Sequence, residues 1–338
     1  MDILLYIGEF LIGLLAIIKG ADWLTDGSAS VARRFGIPSL VVGMTIVAVG
    51  SSAPELVVSI MAAIKGNADM AVGNVVGSNI FNILGIMGIT AMVSPIMVER
   101  GNVRNDVPFA VLSSAVITIT AFDSFFTPGA VNSISRTDGL LMLAMFAIFM
   151  SYTLALTGQE KKGSNTKAED TTDGVEGNSK KDKEPGLLLS SFFIVIGLAC
   201  LILGGDWLVS GASGIASAMG ISDAIIALTI VSAGTSAPEL AASVMAARKG
   251  DTAMALGNIV GSVVFNVFFV LGTAASILPL GAGGITWLDI TTLLVASCVL
   301  WLFCRFGKRY LTLTRTEGAI LALMAIAYYT VLIVKAGH

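Results

Sequence analysis

The sequence predicts an all-α membrane protein of ten transmembrane helices, arranged as two inverted five-helix repeats. Three observations predict it. The 338 residues are 55% hydrophobic and 13% charged, with a mean hydropathy of +0.86, where soluble domains carry about 25% charged residues. Apolar stretches of about 20 residues recur, each long enough to cross about 30 Å of hydrocarbon as a helix. The chain also repeats itself: a shift of 184 residues aligns 43–88 with 227–272 without a gap, with 25 identities in 46 positions. A strand barrel would need alternating segments of about ten residues, whereas Leu187 to Leu203 and Ile290 to Phe303 are apolar on every face.

The first span, about 3–33, begins within a few residues of Met1. No basic stretch or small-residue cleavage site precedes it, so it reads as a span and not as a signal peptide. Polar or Gly/Pro breaks then delimit spans at about 38–65, 69–94, 105–122 and 138–157. Residues 158–186 hold six Lys and seven Asp/Glu among Gly, Ser, Thr and Asn, too polar to bury a core, and predict a flexible linker. Five further spans follow at about 187–217, 223–248, 252–278, 288–304 and 317–335. The chain thus divides into a first repeat (1–157), the linker and a second repeat (187–338).

With the amino terminus outside, the inner side collects sixteen Lys/Arg, six of them in the linker, and the outer side only Lys65, Arg136 and Lys335. That bias predicts both termini outside and the linker in the cytoplasm of a prokaryotic plasma membrane. Five crossings per repeat place equivalent points on opposite faces, so the repeats are inverted. This is a transporter architecture, with its binding site expected at midplane between the repeats. The net charge of −3 suggests no nucleic-acid partner, and no obligate protein partner is evident. Cys200, Cys298 and Cys304 lie in or beside apolar runs with no CxxC spacing, and His338 is the only histidine. Disulfides, a zinc site and a cofactor are not expected.

Glu55, in Gly50-Ser51-Ser52-Ala53-Pro54-Glu55, and Glu239, in Gly234-Thr235-Ser236-Ala237-Pro238-Glu239, each have at least ten largely apolar residues on both sides. A carboxylate at that depth costs several kcal/mol unless compensated, and no Lys or Arg shares its level in either span. A bound cation is the natural partner. Pro54 and Pro238 are expected to release the carbonyls of Gly50 and Gly234 as ligands. Helical spacing brings Ser51 and Ser52 toward Glu55, and Thr235 and Ser236 toward Glu239. Ser78 and Asn82, and Ser262 and Asn266, add polar faces at i, i+4 spacing, either as ligands or as hydrogen bonds between helices. Such oxygen ligands suit hard ions such as Ca²⁺. Asp22 and Asp206, beside Trp23 and Trp207, read as contacts toward span ends. Lys65-Gly66 and Lys249-Gly250 read as helix C-terminal charges and caps.

These paired G-[ST]-S-A-P-E and G-N-x-V-G-S-x-x-F-N motifs, covering both halves and all ten spans, resemble the calcium/cation antiporters, which include the sodium/calcium exchangers. The resemblance implies a secondary antiporter exchanging Ca²⁺ for Na⁺, not an enzyme. It implies a calcium site shared by Glu55 and Glu239 with backbone oxygens near Ser51 and Thr235. Flanking sodium sites would use Ala48, Ser52 and Ser78 on one side and Ser232, Ser236 and Ser262 on the other. Asn82 and Asn266 depart from relatives that carry an Asp tied to potassium, so a potassium-dependent exchanger is a less favoured alternative. Two glutamates balance one Ca²⁺ or two Na⁺, and H⁺ is the alternative counter-ion. A cation channel fits inverted repeats less well than a carrier does. A hydrolase would need a His or Lys base near Ser52 or Ser236.

Overall fold

The computed structural model describes residues 2–66, 68–98, 101–126, 131–167, 186–219, 232–282, 285–307, 309 and 311–336. Helices dominate because in hydrocarbon each backbone N–H and C=O must find its partner within its own segment. The long α1 (Asp2–Phe35) is followed by a broken unit of α2 (Ser39–Val42), the π turn π1 (Gly43–Val47), α3 (Ala48–Ser51) and α4 (Ala53–Ile64). The next rod joins α5 (Ala68–Ile80), π2 (Phe81–Ile86) and α6 (Met87–Val93). A further π turn, π3 (Asn102–Asp106), leads into α7 (Val107–Ala121), α8 (Asp123–Phe126) and α9 (Arg136–Lys167).

The second half opens with α10 (Leu187–Ala218), α11 (Ser232–Thr235) and α12 (Ala237–Arg248). A second rod joins α13 (Thr252–Val264), π4 (Phe265–Leu271) and α14 (Gly272–Ile277), followed by α15 (Trp287–Phe306) and α16 (Arg315–Ala336). The bounds of α4 and α5 recur 184 residues later in α12 and α13. Two short antiparallel ribbons tie the halves together: β1 (Ile96–Met97) pairs with β4 (Thr312–Leu313), and β2 (Ser133–Ile134) with β3 (Leu280–Gly281).

Among the described residues, seven helices are long and apolar enough to cross a membrane. They are eight if the pair Ser39–Ser51 and Ala53–Ile64, bent by 48°, counts as one span. The difference from the expected ten has two local causes. The regular helix of α7 is only 15 residues long, because π3 takes up the residues before it, and 223–231 of the expected seventh span lie outside the described residues. The fifth helix runs on to Lys167, into the expected linker. Gln159, Glu160, Lys161 and Lys162 are good helix formers and extend an existing helix without a new nucleus. Residues 168–185 of that linker lie outside the described residues.

The two composite rods form the centre of the molecule, 78% and 94% buried, against 17% for α1 and 28% for α10. Val72, Val75, Ile80 and Leu84 of one rod pack in a common core with Leu256, Val263, Val267 and Leu271 of the other. Around them, exposed apolar side chains such as Leu15, Leu188 and Val195 form a surface suited to lipid.

Helices α1 and α10 lie antiparallel along glycines with a seven-residue step: Gly13 meets Gly204 and Gly20 meets Gly197, while Gly27 approaches Ser190 and Gly211 approaches Tyr6 and Phe10. Close packing requires glycine here, since a Cβ at Gly20 would stand 2.8 Å from the carbonyl oxygen of Gly197. Gly66 and Gly250 terminate α4 and α12 with φ of 75° and 86°, the left-handed cap expected of them. Lys249 does more than charge a helix end. Its Nζ lies 2.5 Å from Asp22 Oδ1 and 2.8 Å from Asp26 Oδ1, so it clamps the end of α12 to α1. Asp22 thus makes a structural contact with the end of α12, although α1 itself continues for thirteen residues beyond it.

Substituting Gly20 with Leu should force α1 and α10 apart and cost about 1–3 kcal/mol. Gly8→Ala, at a position with nothing within 4 Å of a Cβ, should leave stability equal or slightly raised. Thermal unfolding of the detergent-solubilised protein checks both, and equal midpoints for the two variants would contradict the seam.

Candidate functional site

The site begins with a helix break. Ser52, at φ −85° and ψ 11°, separates α3 from α4, and Ser236, at φ −90° and ψ 9°, separates α11 from α12. Proline stands in the first turn of each restarted helix, where its missing N–H leaves no bond unmade. Glu55 and Glu239 follow in that same first turn, where the positive end of the helix dipole favours a carboxylate.

This geometry corrects the expected release of the Gly50 carbonyl. Capping backbone N–H groups bond the carbonyls of Ala48 and Gly50, the Ser52 N–H reaching Ala48 O at 3.0 Å. A fresh start at Ala53 satisfies what a proline within a continuous helix would have orphaned. Ala48 also accepts from Ser51 Oγ at 3.4 Å.

The break also redirects the serines. Helical spacing put Ser52 beside Glu55 and Ser236 beside Glu239, whereas the structure pairs them across the halves. Ser52 Oγ donates to Glu239 Oε1 at 2.7 Å, and Ser236 Oγ donates to Glu55 Oε1 at 3.3 Å. Ser78 and Thr235 also lie near Glu55, and the two carboxylates are neighbours. Ser51 turns elsewhere, donating to Asn258 Oδ1 at 3.2 Å. Ser232 opens α11, and its side chain lies outside the described residues.

Both glutamates are completely buried. Buried polar atoms are normally hydrogen-bonded, yet Glu55 Oε2, Glu239 Oε2, both side-chain polar atoms of Asn82, Ser262 Oγ and Asn266 Oδ1 have no protein partner. No Lys or Arg pairs with either carboxylate among the described residues, and no cluster of three His, Cys, Asp or Glu occurs there. Asn82 and Asn266 each occupy the second position of a π turn, π2 and π4. Ser78 and Ser262 precede them on the regular helices α5 and α13, and π turns of this kind concentrate at functional sites. The turn π4 packs against α4, which carries Glu55, and π2 packs against α12, which carries Glu239. Two carboxylates, hydroxyls and amide oxygens therefore converge from both halves in a region without a cationic side chain. Chemically, that is a hard-cation donor set.

Sequence reasoning missed the residues that brace this set. Asn74 Nδ2 donates to Glu55 O at 3.4 Å and Ser59 Oγ at 3.0 Å. Asn258 Nδ2 donates to Glu239 O at 3.3 Å and Ser243 Oγ at 2.8 Å. The signal was present in the repeated pairs Gly73-Asn74 and Gly257-Asn258, which open the G-N-x-V-G-S-x-x-F-N motif of each half.

Comparison with known proteins supports the same reading of the chain. The sequence profile described as sodium/calcium exchanger protein matches residues 5–155 and 189–334. The sodium/calcium exchanger MaX1 of Methanosarcina acetivorans is 30% identical over 341 residues, covering 95% of this chain and 97% of its own. The inner membrane protein YrbG of Escherichia coli is 32% identical over 296 residues, 87% of each chain. Among solved structures, the sodium-calcium exchanger NCX_Mj soaked with 10 mM Na⁺ and zero Ca²⁺ superposes with a TM-score of 0.78. It is 29% identical, with 98% of this chain and 99% of that one covered. Two of these relatives are named as exchangers and the third as an inner membrane protein, and this likeness together with the apolar helices identifies an integral membrane protein. The chain belongs to the sodium/calcium exchanger protein family.

Proposed function

We propose that this protein is a secondary antiporter that exchanges Ca²⁺ for Na⁺ by alternating access, with Glu55 and Glu239 as ligands for which the two ions compete. One observation carries the reading: two fully buried carboxylates, each with an unpartnered oxygen, sit among unpartnered hydroxyl and amide atoms without a cationic side chain. A cation of the aqueous phase supplies the missing charge, and exchange follows if the pair is left bare only at high cost.

Ser51, Ser52, Ser78, Asn82 and Ala48 from one half, with Thr235, Ser236, Ser262, Asn266 and Ser232 from the other, complete the proposed set of ion ligands. For Ala48 only the backbone carbonyl can serve. The proposed topology is ten spans in two inverted repeats, 1–157 and 187–338, with both termini outside a prokaryotic plasma membrane and the linker inside. Support comes from the recurrence of helix bounds at 184 residues, and from the reciprocal serine–glutamate bonds, which exchange the halves as a two-fold axis would. The relatives named for sodium and calcium favour those two ions as the exchanged pair.

Purified protein in liposomes should take up ⁴⁵Ca²⁺ when an outward Na⁺ gradient is imposed, and not with an H⁺ gradient alone. Uptake driven by H⁺ and indifferent to Na⁺ would overturn the assignment of the counter-ion. Glu55→Gln and Glu239→Gln should each lower uptake at least about tenfold while the protein still folds, because the amide keeps the shape and removes half of the charge. Either variant working at the parental rate would sink the shared site.

Neutral Asn82 and Asn266 give no third negative charge for an additional monovalent ion. Replacing K⁺ by choline on the calcium side should therefore leave uptake unchanged, and a strict K⁺ requirement would refute this. Deleting 168–182 should preserve exchange, since those residues add neither a span nor a ligand. Loss of transport in a deletion variant that is folded in the membrane would assign the linker a coupling role.

A further inference from the structure

The two halves do not match at one buried position beside the site. Asn79 lies on α5, and the residue 184 positions later is Val263. Both are completely buried. Asn79 Nδ2 donates to the backbone carbonyl of Val263 at 3.1 Å, and Asn79 Oδ1 accepts from Asn266 Nδ2 at 3.1 Å.

The direction of this chain is forced. A backbone carbonyl only accepts, so Val263 fixes which end of the Asn79 amide faces it. The other end is then an oxygen, which only accepts, so Asn266 must present its NH₂ to Asn79. That leaves Asn266 Oδ1 as the outward atom, buried and without a protein partner. Asn82, the counterpart of Asn266, has no such anchor: its oxygen and its nitrogen are both unpartnered, and nothing selects which one it presents.

We infer that Asn79 is a positioning residue, locking the Asn266 amide so that it presents an oxygen, and never an NH₂, to a cation held by Glu55 and Glu239. This rests on the exchange reading above. The cation site is consequently asymmetric: its second half offers a pre-set carbonyl oxygen, while Asn82 in its first half can rotate to offer either atom. A pre-set ligand spends no free energy on reorientation when the ion arrives, and a flipped amide would point a partial positive charge at the ion.

The test is a double-mutant cycle read by equilibrium ⁴⁵Ca²⁺ binding to the purified, detergent-solubilised protein, with uptake kinetics in liposomes. Asn79→Val installs the residue of the other half. It should weaken Ca²⁺ binding about fivefold and raise KM for Ca²⁺ by a similar factor, with kcat changed by less than about twofold. In an Asn266→Ala background, where no amide remains to be oriented, the same substitution should change binding by less than about 1.5-fold. Asn79→Ala repeats the cycle should the valine variant fail to fold as a monodisperse protein. Equal loss in both backgrounds, or no loss in either, overturns the inference while parental exchange and the Glu55→Gln defect stand. Absence of Na⁺-driven uptake by the parent protein instead overturns the exchange reading, and the inference with it.

Discussion

Two carboxylates without a cationic partner, buried completely in the middle of a helical membrane protein, are the constraint on which the rest of this structure depends. Hydrocarbon and close-packed apolar side chains offer no compensation for an ionised group. Glu55 and Glu239 are therefore set where the backbone itself helps, in the first turn of a restarted helix. Restarting a helix needs a break, and the break needs Ser52 and Pro54, or Ser236 and Pro238. The breaks then release serine hydroxyls toward the carboxylate of the opposite half. Asn74 and Asn258 hold the glutamate carbonyls from the neighbouring rods, and small residues allow those rods to approach.

Much of this was legible in the sequence, for reasons that are local. Apolar runs report helices directly, and the matching bounds of α4 and α12 follow from identities at a constant offset. Glu55 and Glu239 stood out because a charge within an apolar run has no ordinary explanation. What was not legible depends on backbone register. The π turns that begin beside Asn82 and Asn266 carry no sequence signature, so they were not expected. The destination of the Ser52 hydroxyl depends on a bend at Ser52, and spacing along a straight helix sends it to the wrong glutamate. Nor could the sequence pair Lys249 with Asp22 and Asp26, since those contacts join residues 227 and 223 positions apart.

Two departures from two-fold symmetry are chemically specific. Asn79 faces Val263, and Lys249 grips α1 while its counterpart Lys65 makes no ion pair among the described residues. Identity between the halves is high where both must supply the same atom, as at Glu55 and Glu239 or Asn74 and Asn258. It is lost at Asn79 and Val263, where one half alone fixes an orientation. Duplication thus provides the donor set, and small asymmetric changes decide how each donor is presented.

The reciprocal bonds also have a consequence for biogenesis. Glu55 is synthesised 181 residues before Ser236, which bonds its carboxylate. At typical elongation rates of about 5–20 residues per second, that interval is on the order of 10–40 s. Strand β1 at Ile96 likewise precedes its partner Leu313. During that interval the first half occupies the bilayer with a carboxyl group whose donor from the second half, Ser236, does not yet exist. Completion of the centre is consequently one of the last events in making the protein, and the first half must endure the membrane alone until its complement is translated.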